Sequence, residues 1–415
     1  LWQQAIQMNP YNPNNHANFM GALYEQEKFD EVVSYAQQVL PHFPENADLW
    51  TILATSVYYT ENMAMFHNFY REALRINPKH FRALNNYSLK LGFRDLALEL
   101  LERSHAIEPE NTEVNIGLDF QYLYRGELEK GWRYYDYRLS PNRPKGQNVK
   151  YHAPFPFWNG EADKEKTIFV MTEQGVGDEV LFSRLIPKLQ ENVGRVIIGC
   201  DSRHITLFER SFPRVTAIGY ASTVQAGYIN RFYPTLASVV KETEKVERIH
   251  LLSLWRVYCP TVGDIPIYEK GFHTADPERV KEAGQILAPH KGSPLIGYSW
   301  GSAFKEAKRS RGNFTPDMLV ELIKDTNIKV VILQYSHDAQ GIKILKDGLG
   351  DDRVVELTGI DLKADIEANY AAIQHLDLIV GPLIATQAFG IASGVETWCA
   401  VGALPWWVFG AETGA

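Results

Sequence analysis

The sequence predicts an α plus α/β protein, a run of helical repeats followed by two lobes of alternating strands and helices. Three observations carry this. Prolines recur at a fixed step through the first third, among apolar residues at helical spacing. Beyond about residue 163 the pattern changes to short β-branched runs separated by helical stretches. Residues 141–162, between the two regimes, are dense in Pro and Gly and read as an extended connector.

Pro10, Pro44 and Pro78 are 34 residues apart, and Pro109 follows after 31. Each closes a helical run, because proline cannot continue a helix. Tyr24 and Tyr58, Leu40 and Leu74, and Leu53 and Tyr87 keep the same step. Phe66, Phe69, Tyr70, Ala73 and Leu74 lie on one helical stripe. A helix pair per repeat cannot bury its apolar stripe alone, but stacked pairs can, leaving a concave groove. Residues 1–140 therefore resemble tetratricopeptide repeats, closed by a pair over 112–125 and 127–139 rich in Tyr and Trp. The alternative is a plain helical bundle. Grooves of this kind usually hold protein segments, so a protein partner is expected.

Composition narrows the function classes. The chain has 415 residues, 45% hydrophobic and 22% charged, with net charge −8. An acidic balance argues against a nucleic-acid binder, which needs a basic face. No apolar run has the length of a membrane span. Cys200, Cys259 and Cys399 are far apart and lack CxxC spacing, which predicts reduced thiols and a cytoplasmic protein. Leu1 opens directly on an amphipathic stretch, and Glu412–Ala415 ends without a closing helix, which predicts a piece of a longer protein.

The α/β part divides into a first lobe, 163–275, and a second, 276–415. Strands are expected at 167–172, 195–200, 215–218 and 248–252. A second set is expected at 294–299, 328–334, 353–357, 378–380 and 396–401. Strands spaced by helices predict two parallel, Rossmann-like sheets with ligands at their carboxyl ends.

The sharpest local signal is Thr172-Glu-Gln-Gly-Val-Gly-Asp-Glu179, between a strand and a helix. Gly175 and Gly177 permit a tight turn and close backbone approach. It lacks the Gly-Lys-Ser/Thr of a P-loop and the third glycine of a dinucleotide fingerprint. Asp178 and Glu179 put carboxylates at a helix start, which suits a general base, with plain helix capping by Asp178 the competing reading.

In the second lobe, Ser299, Trp300 and Gly301 end a strand and precede Lys305, Lys308, Arg309 and Arg311. A small-residue turn followed by cations suits a phosphate, and a solvated charged loop is the alternative. Gly381, Thr386 and Gln387 belong to a strand-to-helix loop that could hold a phosphate or sugar oxygen. Gln334 and Tyr335 end the second strand, on the expected base or ribose side, and Asp361-Leu-Lys363 is a similar loop. No HExxH, Asp-x-Asp or spaced His/Cys cluster is present, so no metal is expected. The twelve histidines read as surface or core residues.

The blocks 126–138, 157–160, 173–184, 252–254, 296–300, 333–335 and 376–380 keep an order that resembles bacterial glycosyltransferases fusing tetratricopeptide repeats to a GT-B module. Flagellin glycosyltransferases using CMP-activated nonulosonic acids, such as pseudaminic acid, are among the similar proteins. Heptosyltransferases and O-GlcNAc transferases are more distant. The resemblance implies that Asp178 is the base and Glu179 its reserve. It also implies that Ser299, Trp300, Arg309 and Arg311 meet the nucleotide-sugar phosphate, and that 381–387 forms the donor-side loop. That loop lacks the His relatives often carry. The implied acceptor is Ser or Thr of a protein such as flagellin. A glycan-directed transferase, or an adaptor with a decayed transferase module, is the alternative.

Overall fold

The computed structural model describes residues 1–60, 62–143, 149–173, 175–301, 314–336 and 338–401. It forms two compact units, dividing at residues 143 and 144, each with its own core.

The first unit is a stack of antiparallel helix pairs. After Trp2–Met8 come Pro13–Glu25 with Phe29–Val39, Ala47–Val57 with Met63–Ile76, Phe81–Leu91 with Asp95–Ile107, and Thr112–Tyr124 with Leu128–Tyr134. The repeat motif sets where each pair begins. Two residues after each repeat proline stands the helix cap: Asn12, Asn46, His80 and Asn111. Each accepts a backbone N–H of the first turn through its side chain. The apolar stripes meet in one continuous core through Met20, Leu49, Leu53, Phe66, Tyr70 and Tyr87. Tyr70 and Tyr87 stack at 4.6 Å between ring centres. Leu101, Val114, Leu118 and Tyr122 close the stack. The repeats are thus tetratricopeptide-like, as expected.

Among the described residues the second unit holds twelve strands in three sheets. In chain order these are β1 (Val149–His152), β2 (Asp163–Met171), β3 (Val193–Cys200), β4 (Val215–Gly219), β5 (Ala221–Gln225) and β6 (Tyr228–Phe232). They continue with β7 (Lys245–His250), β8 (Leu295–Tyr298), β9 (Lys329–Ile332), β10 (Val354–Val355), β11 (Leu378–Pro382) and β12 (Thr397–Ala400). The first lobe is a parallel sheet ordered β4-β3-β2-β7, and the second a parallel sheet ordered β10-β9-β8-β11-β12. Both are Rossmann-like. The order reverses between β2 and β7 in one and between β8 and β11 in the other, so ligand crevices open at those carboxyl ends. Ile168 to Met171 are all fully buried, the run expected of a strand covered on both faces.

All nine expected strands are present. Three more are not in the sequence reading. β1 lies inside the expected connector and pairs in parallel with β6, which pairs antiparallel with β5. Farther along, Trp158 is buried, and its backbone N–H donates to the Arg248 carbonyl at 2.8 Å. The β5–β6 hairpin turns on Ala226 and Gly227, both at positive φ, the conformation of a two-residue hairpin loop. Such a turn is legible as a small residue plus Gly between β-branched runs. β5 itself carries no burial alternation, because it is exposed along its whole length.

Candidate active site at the seam of the two lobes

Glu173 leaves the end of β2, and Gly175 starts the helix Val176–Phe182. Glu179 is fully buried. Its carboxylate accepts the Thr172 hydroxyl at 2.8 Å and the Asp201 N–H at 3.0 Å, and lies 2.9 Å from His204 Nδ1. Helical geometry therefore turns the two adjacent acids apart. Glu179 points into the lobe and ties β2 to the residues after β3.

Asp178 remains half-buried, and its carboxylate accepts the Gly175 N–H at 3.1 Å. The helix cap of the alternative reading is thus present, and it leaves the second carboxylate oxygen uncommitted by that bond. Burial raises the pKa of Asp178 most, the Gly175 N–H opposes this, and the charges of Glu179 and Glu173 add to it. Glu173 is buried beside the same turn. It accepts the Leu252 N–H at 3.1 Å and lies 4.0 Å from His250 Nδ1 at the end of β7. Glu173 and His250 were not among the expected site residues. Their sequence signal was position alone, since both stand at strand ends flanking the crevice.

Gly177 is one of the places where the lobes touch. A Cβ there would stand 2.9 Å from Cα and 3.3 Å from N of Ala385, the first residue of the second-lobe helix Ala385–Ser393. The two helix starts approach at backbone distance, and only glycine allows it.

From that contact a chain of buried polar groups runs into the second lobe. Gln387 is fully buried and donates through Nε2 to Ser299 Oγ at 3.1 Å. Thr386 beside it is buried as well. Gly381 is packed so tightly that a Cβ would meet Ser299 O at 2.3 Å and Gln387 Nε2 at 2.6 Å. Gln334 Oε1 accepts the N–H groups of Trp300 and Gly301 at 2.9 and 3.1 Å, and its Nε2 donates to the Gly301 carbonyl at 2.9 Å. Trp300 Nε1 donates to Asp338 at 2.8 Å. Ser299, Gln334 and Gln387, expected to face a donor, thus spend these groups on building the loops. A cavity of about 210 Å³ lies just beyond, among Trp300, Gln334, Tyr335, Leu357, Ile360 and Asp361. It opens at the carboxyl ends of the second sheet and joins Trp300, Gln334 and Tyr335 with the 361–363 loop. Arg309 and Arg311 lie outside the described residues. Among the described residues no group of three or more His, Cys, Asp or Glu has a metal-holding arrangement.

The repeat unit carries a groove of about 650 Å³. Asn14, Asp48 and Arg82 line it at the repeat step, as do Asn18, Ile52 and Asn86. Successive first helices therefore present equivalent positions to it. No described helix is long and apolar enough to cross a membrane.

No family model matches the chain. It is 28% identical over 410 residues to Protein FlbA of Caulobacter vibrioides, spanning 95% of this chain and 67% of that protein. Among solved structures, it is similar to a glycosyl transferase family 9 protein from Veillonella parvula, with TM-score 0.40 and 15% identity over 58% of this chain and 82% of that one. It is also similar to MamA, with TM-score 0.29 and 14% identity over 33% of this chain and 81% of that one.

Proposed function

We propose that the α/β unit is a glycosyltransferase that moves a sugar from a nucleotide-sugar donor to a Ser or Thr hydroxyl of a protein. The repeat groove would dock that protein, with a flagellin-like acceptor and a CMP-nonulosonic acid donor as the specific expectation. One observation carries the reading. Asp178, a half-buried carboxylate of raised proton affinity, sits next to the residue where the first lobe meets the start of the second-lobe helix Ala385–Ser393. A base on one lobe thus stands beside the donor-side loop of the other.

In this mechanism Asp178 takes the acceptor hydroxyl proton as the oxygen attacks the anomeric carbon. The bond from that carbon to the nucleotide phosphate breaks, and the nucleotide leaves with the electron pair. The nucleoside end occupies the 210 Å³ cavity, against Trp300 and Tyr335. Catalysis is routed through Asp178 and the second-lobe loops, without a metal.

A thermal-shift series with CMP-, UDP-, GDP- and ADP-sugars tests the donor, because a ligand that binds the folded state raises its apparent stability. One nucleotide class is expected to raise Tm, and the same sugar should then be transferred by the wild type but not by Asp178→Asn. If no nucleotide sugar shifts Tm, the transferase reading fails.

A further inference from the structure

We propose that His273 is a positioning residue that holds the two lobes in register, and that it does so only as a neutral ring. His273 lies near the end of the first lobe, just before the helix Pro277–Leu287, and is buried. Its Nε2 is 2.7 Å from Ser183 Oγ, immediately after the helix that carries Asp178. Its Nδ1 is 2.9 Å from the hydroxyl of Tyr370, on the second-lobe helix Ile366–Ile373. Ser183 and Tyr370 are fully buried.

The proton positions follow from the contacts. The Ser183 hydroxyl donates to the Val180 carbonyl at 2.7 Å, so its oxygen accepts from His273 Nε2–H. Nδ1 then accepts from the Tyr370 O–H. One proton on the ring satisfies both links. A second proton would reverse the Tyr370 link, making its oxygen the acceptor, and would place a charge among Phe208, Phe212, Phe272 and Tyr370, whose centres lie 5.0 to 5.8 Å away. Burial holds the proton affinity of His273 well below the ordinary histidine range, and the like charges of His204 and Arg210 add to this. The acids on the surrounding elements are engaged elsewhere. Glu367 holds Arg210 and Thr206, Asp276 caps Pro277–Leu287, and Glu179 holds His204.

The backbone around His273 shows what is being registered. Phe272 and His273 N–H both donate to the Ala392 carbonyl, at 2.8 and 2.9 Å. A Cβ on Gly271, at φ +78°, would stand 2.4 Å from that same oxygen. The helix Ala385–Ser393 is therefore gripped at its start by Gly177 and at its end by residues 271–273. The link Ser183–His273–Tyr370 keeps both grips in place. This inference is independent of the sugar-transfer reading, since it concerns lobe geometry.

The test measures the distance between spin labels in the full chain, at Glu242→Cys in the first lobe and Asp352→Cys in the second, both exposed. Cys399→Ser removes the half-buried native thiol, and Cys200 and Cys259 are buried. At pH 8 a single narrow distance is expected. It should broaden on acidification only at a pH well under the ordinary histidine value, while far-UV circular dichroism stays constant. His273→Phe keeps an aromatic ring in the cage, and should show the broad distribution at both pH values and lose the acid step. A folded His273→Phe with the narrow wild-type distance, or with the acid step intact, overturns the proposal. Should His273→Phe fail to fold, the double variant Ser183→Ala/Tyr370→Phe decides, because a narrow pH-independent distance there overturns it equally.

Discussion

Asp178 stands in a place that resists its charge. Its pKa is raised above the unfolded value of 3.8, so the folded state binds that proton more tightly than the unfolded state does. The resulting stabilisation is present at low pH and is lost as pH rises from the unfolded value through the raised one. Asp178→Asn keeps an acceptor for the Gly175 N–H and removes the charge. It should therefore raise Tm at pH 7, with the difference closing towards about pH 4. Calorimetry across that range checks the sign, and a variant less stable than wild type at pH 7 would show that the charge is compensated. Gly381 gives a steric prediction. Its missing Cβ would fall 2.3 Å from a backbone oxygen, which cannot rotate away, so Gly381→Ala should cost about 1–3 kcal/mol in urea unfolding. At this scale residue types were legible and directions were not. The sequence offers Asp178 and Glu179 alike as carboxylates at a helix start, and only the structure shows that Glu179 is fully buried while Asp178 is half-buried.

Among the elements, the repeat helices are the most readable. The step from Pro10 to Pro44 to Pro78 carries a cap two residues later each time, and the caps accept first-turn N–H groups as the local chemistry requires. Asn46→Ala should cost about 1 kcal/mol, measured as a shift in the urea midpoint at constant slope. The strands of the two large sheets were equally clear, because strands buried on both faces are continuous apolar runs. The small sheet was not. β5 is wholly exposed, and the pairing of β6 with β1 joins segments about 80 residues apart in sequence. No local pattern encodes such a pairing.

For the molecule as a whole, two cores imply two folding units. The apolar stripes of the repeat helices are covered by one another, and the last pair closes the stack. Residues 1–143 expressed alone should therefore show a helical circular-dichroism spectrum and a cooperative melt, and a broad, non-cooperative melt would contradict this reading of the core.

The sequence by itself determined the classes of structure: a repeat of fixed step, a change of period, nine strands, and the glycine-flanked acid at the end of β2. These depend on neighbours within a turn or a strand, where covalent spacing decides which side chains share a face. Tertiary structure alone decided which groups are spent and which are free. Gln334, Gln387 and Ser299, expected on the donor side, and Glu179, expected as the reserve base, each bond to groups from distant parts of the chain. His273 read as an ordinary core residue, yet it bonds to both lobes. A buried polar atom takes whichever partner the packing brings within 3 Å, and that partner is set by how sheets and helices stack.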